Sequence, residues 1–261
     1  MRTAIASATL LLAACAKPPI GFDRLAEDDI AHGDRLARVL GCAGCHGKDL
    51  TGEDWSDELG VLWTANLTQS AARYDAAQLK SMIVSGREPG GRELWDMPSY
   101  LFTKLNPAEL DALVAFIRSR PLKGEIHPQP SHGPELLRKL KEGVYRSSAE
   151  RVRLEGKDDG PDAGSDHSLG RYIARATCAE CHGIDLQGGP EPLSGKVRPD
   201  IRTMIVAYSR DEFERLLTQG KATGDREAGL MSEVARGRFK HLTAHERTAL
   251  FDYLKALGPK T

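Results

Sequence analysis

The sequence has few cysteines, few aromatic residues, no long apolar run and almost no net charge. Its 261 residues include five cysteines, and aromatic side chains make up 6% of the total. The formal net charge of −1 gives no support for a nucleic-acid-binding protein, whose phosphate partners require a basic surface. No stretch approaches the ~20 apolar residues that a membrane-spanning helix needs. These absences exclude a disulfide-rich scaffold and an integral membrane bundle.

The N-terminus reads MRTAIASATLLLAAC and predicts a lipoprotein signal peptide over residues 1–14. Arg2 supplies a positive start, a short apolar region follows, and Leu12-Ala13-Ala14-Cys15 resembles the bacterial lipobox. The alternative is an ordinary signal peptide whose cysteine is accidental. With lipidation at Cys15, acyl chains would tether the protein to the periplasmic side of a bacterial membrane.

The other four cysteines form two motifs with the same Cys-x-x-Cys-His spacing, GCAGCHGKDLTG at 41–52 and TCAECHGIDLQG at 177–188. On one helical turn, positions i, i+3 and i+4 share a face, so Cys42, Cys45 and His46 point the same way. This spacing suits a c-type haem, with thioether bonds from two cysteines and an axial nitrogen from the histidine. Cys178, Cys181 and His182 repeat the pattern. The sequence therefore predicts two covalently bound haem c groups.

Zinc binding and dithiol redox chemistry are the alternatives for these cysteines. The halves of a four-ligand zinc site usually lie roughly 15–20 residues apart, and Cys45 and Cys178 are far more widely separated. A redox Cys-x-x-Cys motif accompanies a βαβ pattern, and none is apparent. Both alternatives are weaker than haem attachment.

Two of the five methionines occupy matching positions behind the two motifs. Met97 and Met231 follow His46 and His182 at nearly equal separations, in stretches without helical periodicity. They are predicted to be the second axial ligands, although a methionine can also be a flexible core filler. Met82 and Met204 lie in apolar stretches and are expected to pack in the core. Methionine ligation raises the potential of a haem iron and leaves no position for a substrate.

The remaining histidines are weaker ligand candidates, because they lie ahead of the first motif, between the repeats or beside the start of the last helix. They are His32, His127, His132, His167, His241 and His245.

Similarity between the two halves extends beyond the motifs and indicates a duplicated domain. The last helix of each half has its own start signal: Asn106 followed by Pro107, and the capping box formed by Thr243 and Glu246. Gly33 and Gly170 lie in the two first helices, where a missing side chain permits a close crossing. We expect these crossings against Phe116 and Tyr253 of the last helices.

Each half resembles a class I cytochrome c domain, over residues 28–120 and 165–259. The resemblance implies an all-α fold: a first helix, the Cys-x-x-Cys-His motif, a helix-poor middle, a ligand methionine and a last helix. We expect domains at 22–120 and 165–261, joined by a linker at 121–164 that contains proline and glycine. Partners for the haem propionates could include Arg87, Arg92 or Trp95.

The resemblance implies a di-haem electron-transfer protein with no catalytic residue. It is similar to the cytochrome c subunits of periplasmic dehydrogenases and to small di-haem carriers. Electrons would pass from a dehydrogenase or respiratory complex to a downstream cytochrome or oxidase. The alternatives are a di-haem enzyme of the cytochrome c peroxidase or thiosulfate dehydrogenase type, and a haem-based sensor or structural subunit.

Overall fold

The computed structural model describes residues 19–259, and its fold is mainly α-helical, as predicted. The signal peptide at 1–14 and Cys15 lie outside the described residues. Six helices form the first repeat: α1 Asp29–Val39, α2 Cys42–His46, α3 Leu67–Arg73, α4 Ala76–Ser85, α5 Ser99–Phe102 and α6 Pro107–Ser119. Two more follow it: α7 Pro134–Lys141 and α8 Ser148–Glu155.

The second repeat repeats this order with six helices. They are α9 Ser168–Thr177, α10 Ala179–His182, α11 Ile201–Met204, α12 Arg210–Gln219, α13 Leu230–Gly237 and α14 Ala244–Leu257. The middle of each repeat therefore carries two helices, whereas a helix-poor middle was expected. Within residues 19–259, no helix has the length and apolar character needed to cross a membrane.

Within residues 19–259, three two-residue antiparallel β-ladders connect loops. The pairs are β1 Gly60–Val61 with β2 Ser131–His132, β3 Gly189–Pro190 with β4 Val197–Arg198, and β5 Lys221–Ala222 with β6 Arg226–Glu227. The first ladder joins the first repeat to the segment that follows it.

The first and last helices of each repeat cross closely at a glycine. A Cβ on Gly33 would lie 2.0 Å from the carbonyl oxygen of Ala112 and 2.8 Å from the Cβ of Phe116. At Gly170 the corresponding distances are 2.2 Å to the Ala249 oxygen and 2.4 Å to the Cβ of Tyr253. Any side chain at either position would force the helices apart. The predicted crossings against Phe116 and Tyr253 are confirmed.

The last helices begin where their capping signals place them. The Asn106 side chain accepts from the Ala108 amide at 3.0 Å, with Pro107 at the first helical position. Thr243 and Glu246 form a reciprocal capping box. Each cap satisfies backbone N–H groups that have no partner within the helix.

Residues 121–164, expected as a linker, pack against the first repeat. Helix α8 lies on α5 and α4, and the Ser148 amide donates to the Leu94 carbonyl at 2.9 Å. The Thr103 hydroxyl donates to the Gly156 carbonyl at 2.5 Å. The segment 121–164 therefore packs on the first repeat and is hydrogen-bonded to it.

The two repeats share one apolar core and several buried polar contacts. Arg175 is 5% exposed, and its guanidinium donates to the Tyr100 carbonyl at 2.7 Å and to the Asp158 carbonyl at 2.7 Å. Arg35 contacts the fully buried Glu246 at 3.0 Å. Because buried charges need such partners, these contacts fix how the repeats sit together.

Replacing Gly33 by alanine should destabilise the fold. The added Cβ would overlap the Ala112 carbonyl, and overpacking of this kind costs about 1–3 kcal/mol or more. Thermal and denaturant unfolding of Gly33→Ala measures the loss. Gly237→Ala is the matched control, since a Cβ on that helical glycine meets open space. Equal stabilities of the two variants would contradict the close crossing.

Candidate haem sites

The first motif starts immediately after the helix that crosses α6. Helix α1 ends at Val39, and Gly41 turns the chain with φ +86°, a left-handed conformation that favours glycine. Helix α2 then places Cys42 and Cys45 one turn apart. Both are free thiols, and burial raises the pKa of Cys42 to about 12 and that of Cys45 to about 11. Neither thiol is committed to another cysteine.

His46 is oriented by a backbone carbonyl. Its Nδ1 lies 2.7 Å from the Ala65 oxygen, so Nδ1 carries the proton and donates it. The Nε2 lone pair is thereby left for a metal, the usual arrangement of a ligand histidine. Burial lowers the pKa of His46 and favours the neutral ring that a metal ligand requires.

Two sets of hydrogen bonds fix the loop that contains the Ala65 carbonyl. Asn66, which follows Ala65, caps α3 by accepting from the Thr68 amide at 3.0 Å. Leu50 is buried with φ +60°, and its carbonyl accepts from the Leu67 amide at 2.8 Å. A non-glycine residue held at positive φ indicates that the surrounding contacts fix this turn.

A largely apolar cavity of about 250 Å³ gathers the predicted residues of the first repeat. Cys42, Cys45, His46 and Met97 all line it. Its apolar wall includes Leu62, Leu67, Leu79, Leu113 and Ile117. Two thiols, a neutral imidazole and a thioether around an apolar space fit a covalently attached haem.

Met82, which was expected to pack in the core, also lines this cavity. It projects from α4, which also lines the cavity through Leu79 and Ile83. The cavity therefore offers two thioethers, and Met82 is the alternative to Met97 as an axial ligand.

Met97 lies in a short non-helical segment, as Pro98 predicts. Trp95 stacks on Tyr145 with ring centroids 5.3 Å apart, and His132 packs edge-on to Trp95 at 4.4 Å. The Tyr145 hydroxyl donates to Asp96 at 2.8 Å. Asp96 has φ +59°, a conformation that needs such support. Residues of the predicted linker thus hold the methionine segment in place.

The same linker forms another wall of the cavity. His127 stacks on Trp63 at 4.2 Å between centroids, and its Nε2 lies 2.6 Å from the Thr51 carbonyl. Ile126 and Pro128 line the cavity beside it. The sequence did not predict that residues 126–128 line this cavity. All three tryptophans lie in the first repeat, and this asymmetry was the available signal that additional partners cover that repeat.

Two of the three expected propionate partners line the cavity. Arg92 and Trp95 do so, whereas Arg87 pairs with Glu93 at 2.5 Å. Arg92 itself pairs with Glu88 at 3.1 Å through Nε.

The second motif has the same local geometry. Cys178 ends α9, and α10 carries Cys181 and His182. His182 Nδ1 lies 2.9 Å from the Pro199 carbonyl, and Asp200, which follows, caps α11. Burial raises the pKa of Cys178 to about 11 and lowers the pKa of His182. Leu186 repeats the left-handed turn of Leu50, with φ +62°.

Met231 differs from Met97 in its backbone. It lies in the first turn of α13, so the expectation of a non-helical stretch is wrong for this residue. Ser232 beside it is fully buried, and its hydroxyl accepts from the Ala228 amide at 2.8 Å. Met231 and Cys178 pack against the same apolar core. Met204 packs there as well, as predicted.

Removing the Tyr145 hydroxyl should loosen the Met97 segment. A hydrogen bond to a carboxylate contributes about 1.5–3 kcal/mol, and Tyr145→Phe removes it while keeping the stack. We expect faster hydrogen exchange at the amides of Leu94 and Ser99, which donate to Gly86 and Met97 at 2.8 Å each. Tyr208→Phe in the second repeat is the control. Unchanged exchange in Tyr145→Phe would show that the linker does not support this segment.

Comparison with known proteins agrees with this geometry. The Cytochrome c family model matches residues 30–121 and 168–258, which together make up most of the chain. A gluconate 2-dehydrogenase cytochrome c subunit from Pantoea cypripedii is 22% identical over 284 aligned positions, covering 92% of this chain. The chain spans 63% of the length of that relative.

These matches confirm the resemblance to cytochrome c domains drawn from the sequence. The matched regions coincide with the two repeats, and each contains one Cys-x-x-Cys-His motif and one candidate ligand methionine. The chain therefore belongs to the cytochrome c family and carries its domain twice.

Proposed function

We propose that this protein is a di-haem electron carrier that accepts electrons from a dehydrogenase and passes them to a downstream cytochrome or oxidase. The observation that supports it best is the cavity of the first repeat, which brings two free thiols, an oriented neutral histidine and Met97 to one apolar space. Each haem, when bound, supplies an iron that alternates between its ferrous and ferric states.

The chain's own residues bind and orient that group. Cys42 and Cys45 attach it in the first repeat, and Cys178 and Cys181 attach it in the second. His46 and His182 offer Nε2 because Ala65 and Pro199 hold Nδ1. The apolar wall of the first cavity would limit the contact of a bound haem with water, which favours the less charged reduced site.

Met97 and Met231 would be the second protein ligands of the two irons, which would leave neither iron free to bind a substrate. This arrangement favours a carrier over a di-haem peroxidase or thiosulfate dehydrogenase. Those enzymes need one iron with a vacant or displaceable ligand.

The partners and location belong to the same proposal. The relative from Pantoea cypripedii is named as the cytochrome c subunit of a gluconate 2-dehydrogenase, which supports a dehydrogenase as the electron donor here. A lipid on Cys15 would hold the protein on the periplasmic side of the membrane, where such a donor can reach it.

Methionine variants test the axial ligands. Methionine–iron bonding gives a weak long-wavelength absorption band in oxidised cytochromes c. We expect Met97→Leu and Met231→Leu each to remove part of this band, because each removes one thioether ligand. Met82→Leu and Met204→Leu are the matched controls and should leave it intact. Loss of the band in Met82→Leu would reassign the first ligand, and peroxide turnover by the wild type would favour the enzyme.

Membrane attachment and the donor are tested together in cells. Cys15→Ala should move the protein from the membrane fraction to the soluble periplasm while haem attachment at both motifs is retained. The wild type should copurify with a dehydrogenase whose substrate reduces the haems. A variant that stays in the membrane fraction would contradict the lipid anchor, and haems that no associated dehydrogenase reduces would contradict the proposed donor.

A further inference from the structure

The two attachment motifs meet at a single arginine. Arg238 follows α13, the helix that carries Met231, and reaches across to the first repeat. Its Nε donates to the Val39 carbonyl at 3.2 Å and its Nη2 to the Leu40 carbonyl at 3.1 Å. These carbonyls end α1, directly before the first motif.

The remaining arm of the same guanidinium binds the second motif. Nη1 of Arg238 lies 2.6 Å from Oε2 of Glu180, the residue between Ala179 and Cys181 in α10. Glu180 in turn lines the cavity of the first repeat. The side chains of Arg238 and Glu180 are 14% and 28% exposed, so solvent screens their charges only partly.

Close packing fixes the arginine in this position. A Cβ on Gly41 would lie 2.7 Å from the Arg238 Cζ, so the guanidinium rests directly against the backbone at the start of α2. Three groups on two repeats hold it, and the planar guanidinium donates to all of them at once.

We propose that Arg238 is a positioning residue shared by both sites, whose charge raises the reduction potential of each and which holds the two motifs in contact. The proposal rests on haem binding at both motifs. Reduction adds one electron to a site, so a nearby positive charge stabilises the reduced form and a nearby negative charge opposes it. Glu180 lies within the second motif and lines the first cavity, so it acts on both sites in the opposite direction to Arg238.

Mediated redox titration of the full-length holoprotein tests this assignment. Two haems per chain and two one-electron steps in the wild type test the proposed function itself, independently of Arg238. In Arg238→Gln we expect both midpoint potentials to fall, with the reduction equilibrium constants lowered roughly three- to tenfold by the loss of one partly buried charge. In Glu180→Gln we expect them to rise.

Two further variants separate charge from structure. Arg238→Lys retains the charge and should keep both potentials near those of the wild type. Arg247→Gln is the matched control, because Arg247 is 12% exposed and pairs with Glu214 at 2.6 Å, which is nearly the same burial and spacing. It should leave both potentials unchanged.

Opposite shifts in Arg238→Gln and Glu180→Gln support the proposal. Shifts in the same direction, or shifts no larger than those of Arg247→Gln, would overturn it. If Arg238→Gln does not accumulate, the other two variants test the proposal. It would be overturned if Glu180→Gln failed to raise the potentials. It would also be overturned if Arg238→Lys lowered them by as much as the loss of a charge predicts.

Discussion

The close crossing of the first and last helices is the constraint on which each repeat depends. With no side chain at Gly33 or Gly170, the two helix backbones come into contact, and the motif begins directly where the first helix ends. The crossing therefore sets where the cysteines start. A following turn, fixed by a left-handed leucine and a capped helix, sets where the carbonyl that orients the histidine lies. Both repeats contain this glycine crossing and this turn.

The two repeats differ in the residues that surround their candidate ligand methionines. The segment after the first repeat adds Tyr145, His127 and His132 around its cavity and braces the Met97 segment. In the second repeat, Met231 lies in a helix anchored by the buried Ser232. The Met97 segment is held by aromatic side chains, whereas Met231 lies within a helix, so the two proposed haem sites have different surroundings. Because hydrogen bonding and burial around a haem set its potential, the two sites are expected to differ in potential.

Local patterns predicted much of this structure from the sequence. The motifs, the caps at Asn106 and Thr243, and the glycine crossings depend on residues a few positions apart or on one close backbone contact, so sequence spacing reveals them. The position of Met82 in the cavity wall, the helix at Met231 and the packing of residues 121–164 depend on tertiary contacts. Arg238 shows this limit most clearly, since its partners Val39 and Leu40 lie in the other repeat and are backbone carbonyls, which have no sequence signature.

As proposed above, both irons would have two protein ligands and would serve only to carry electrons. Carbon monoxide binds a reduced haem only where an axial position is vacant or easily vacated, so it probes both sites of the wild-type holoprotein at once. We expect the oxidised protein to take up two electrons per chain, and the spectrum of the fully reduced protein to be unchanged under carbon monoxide. A carbon monoxide spectrum from either haem at neutral pH, or uptake of a single electron, would contradict it.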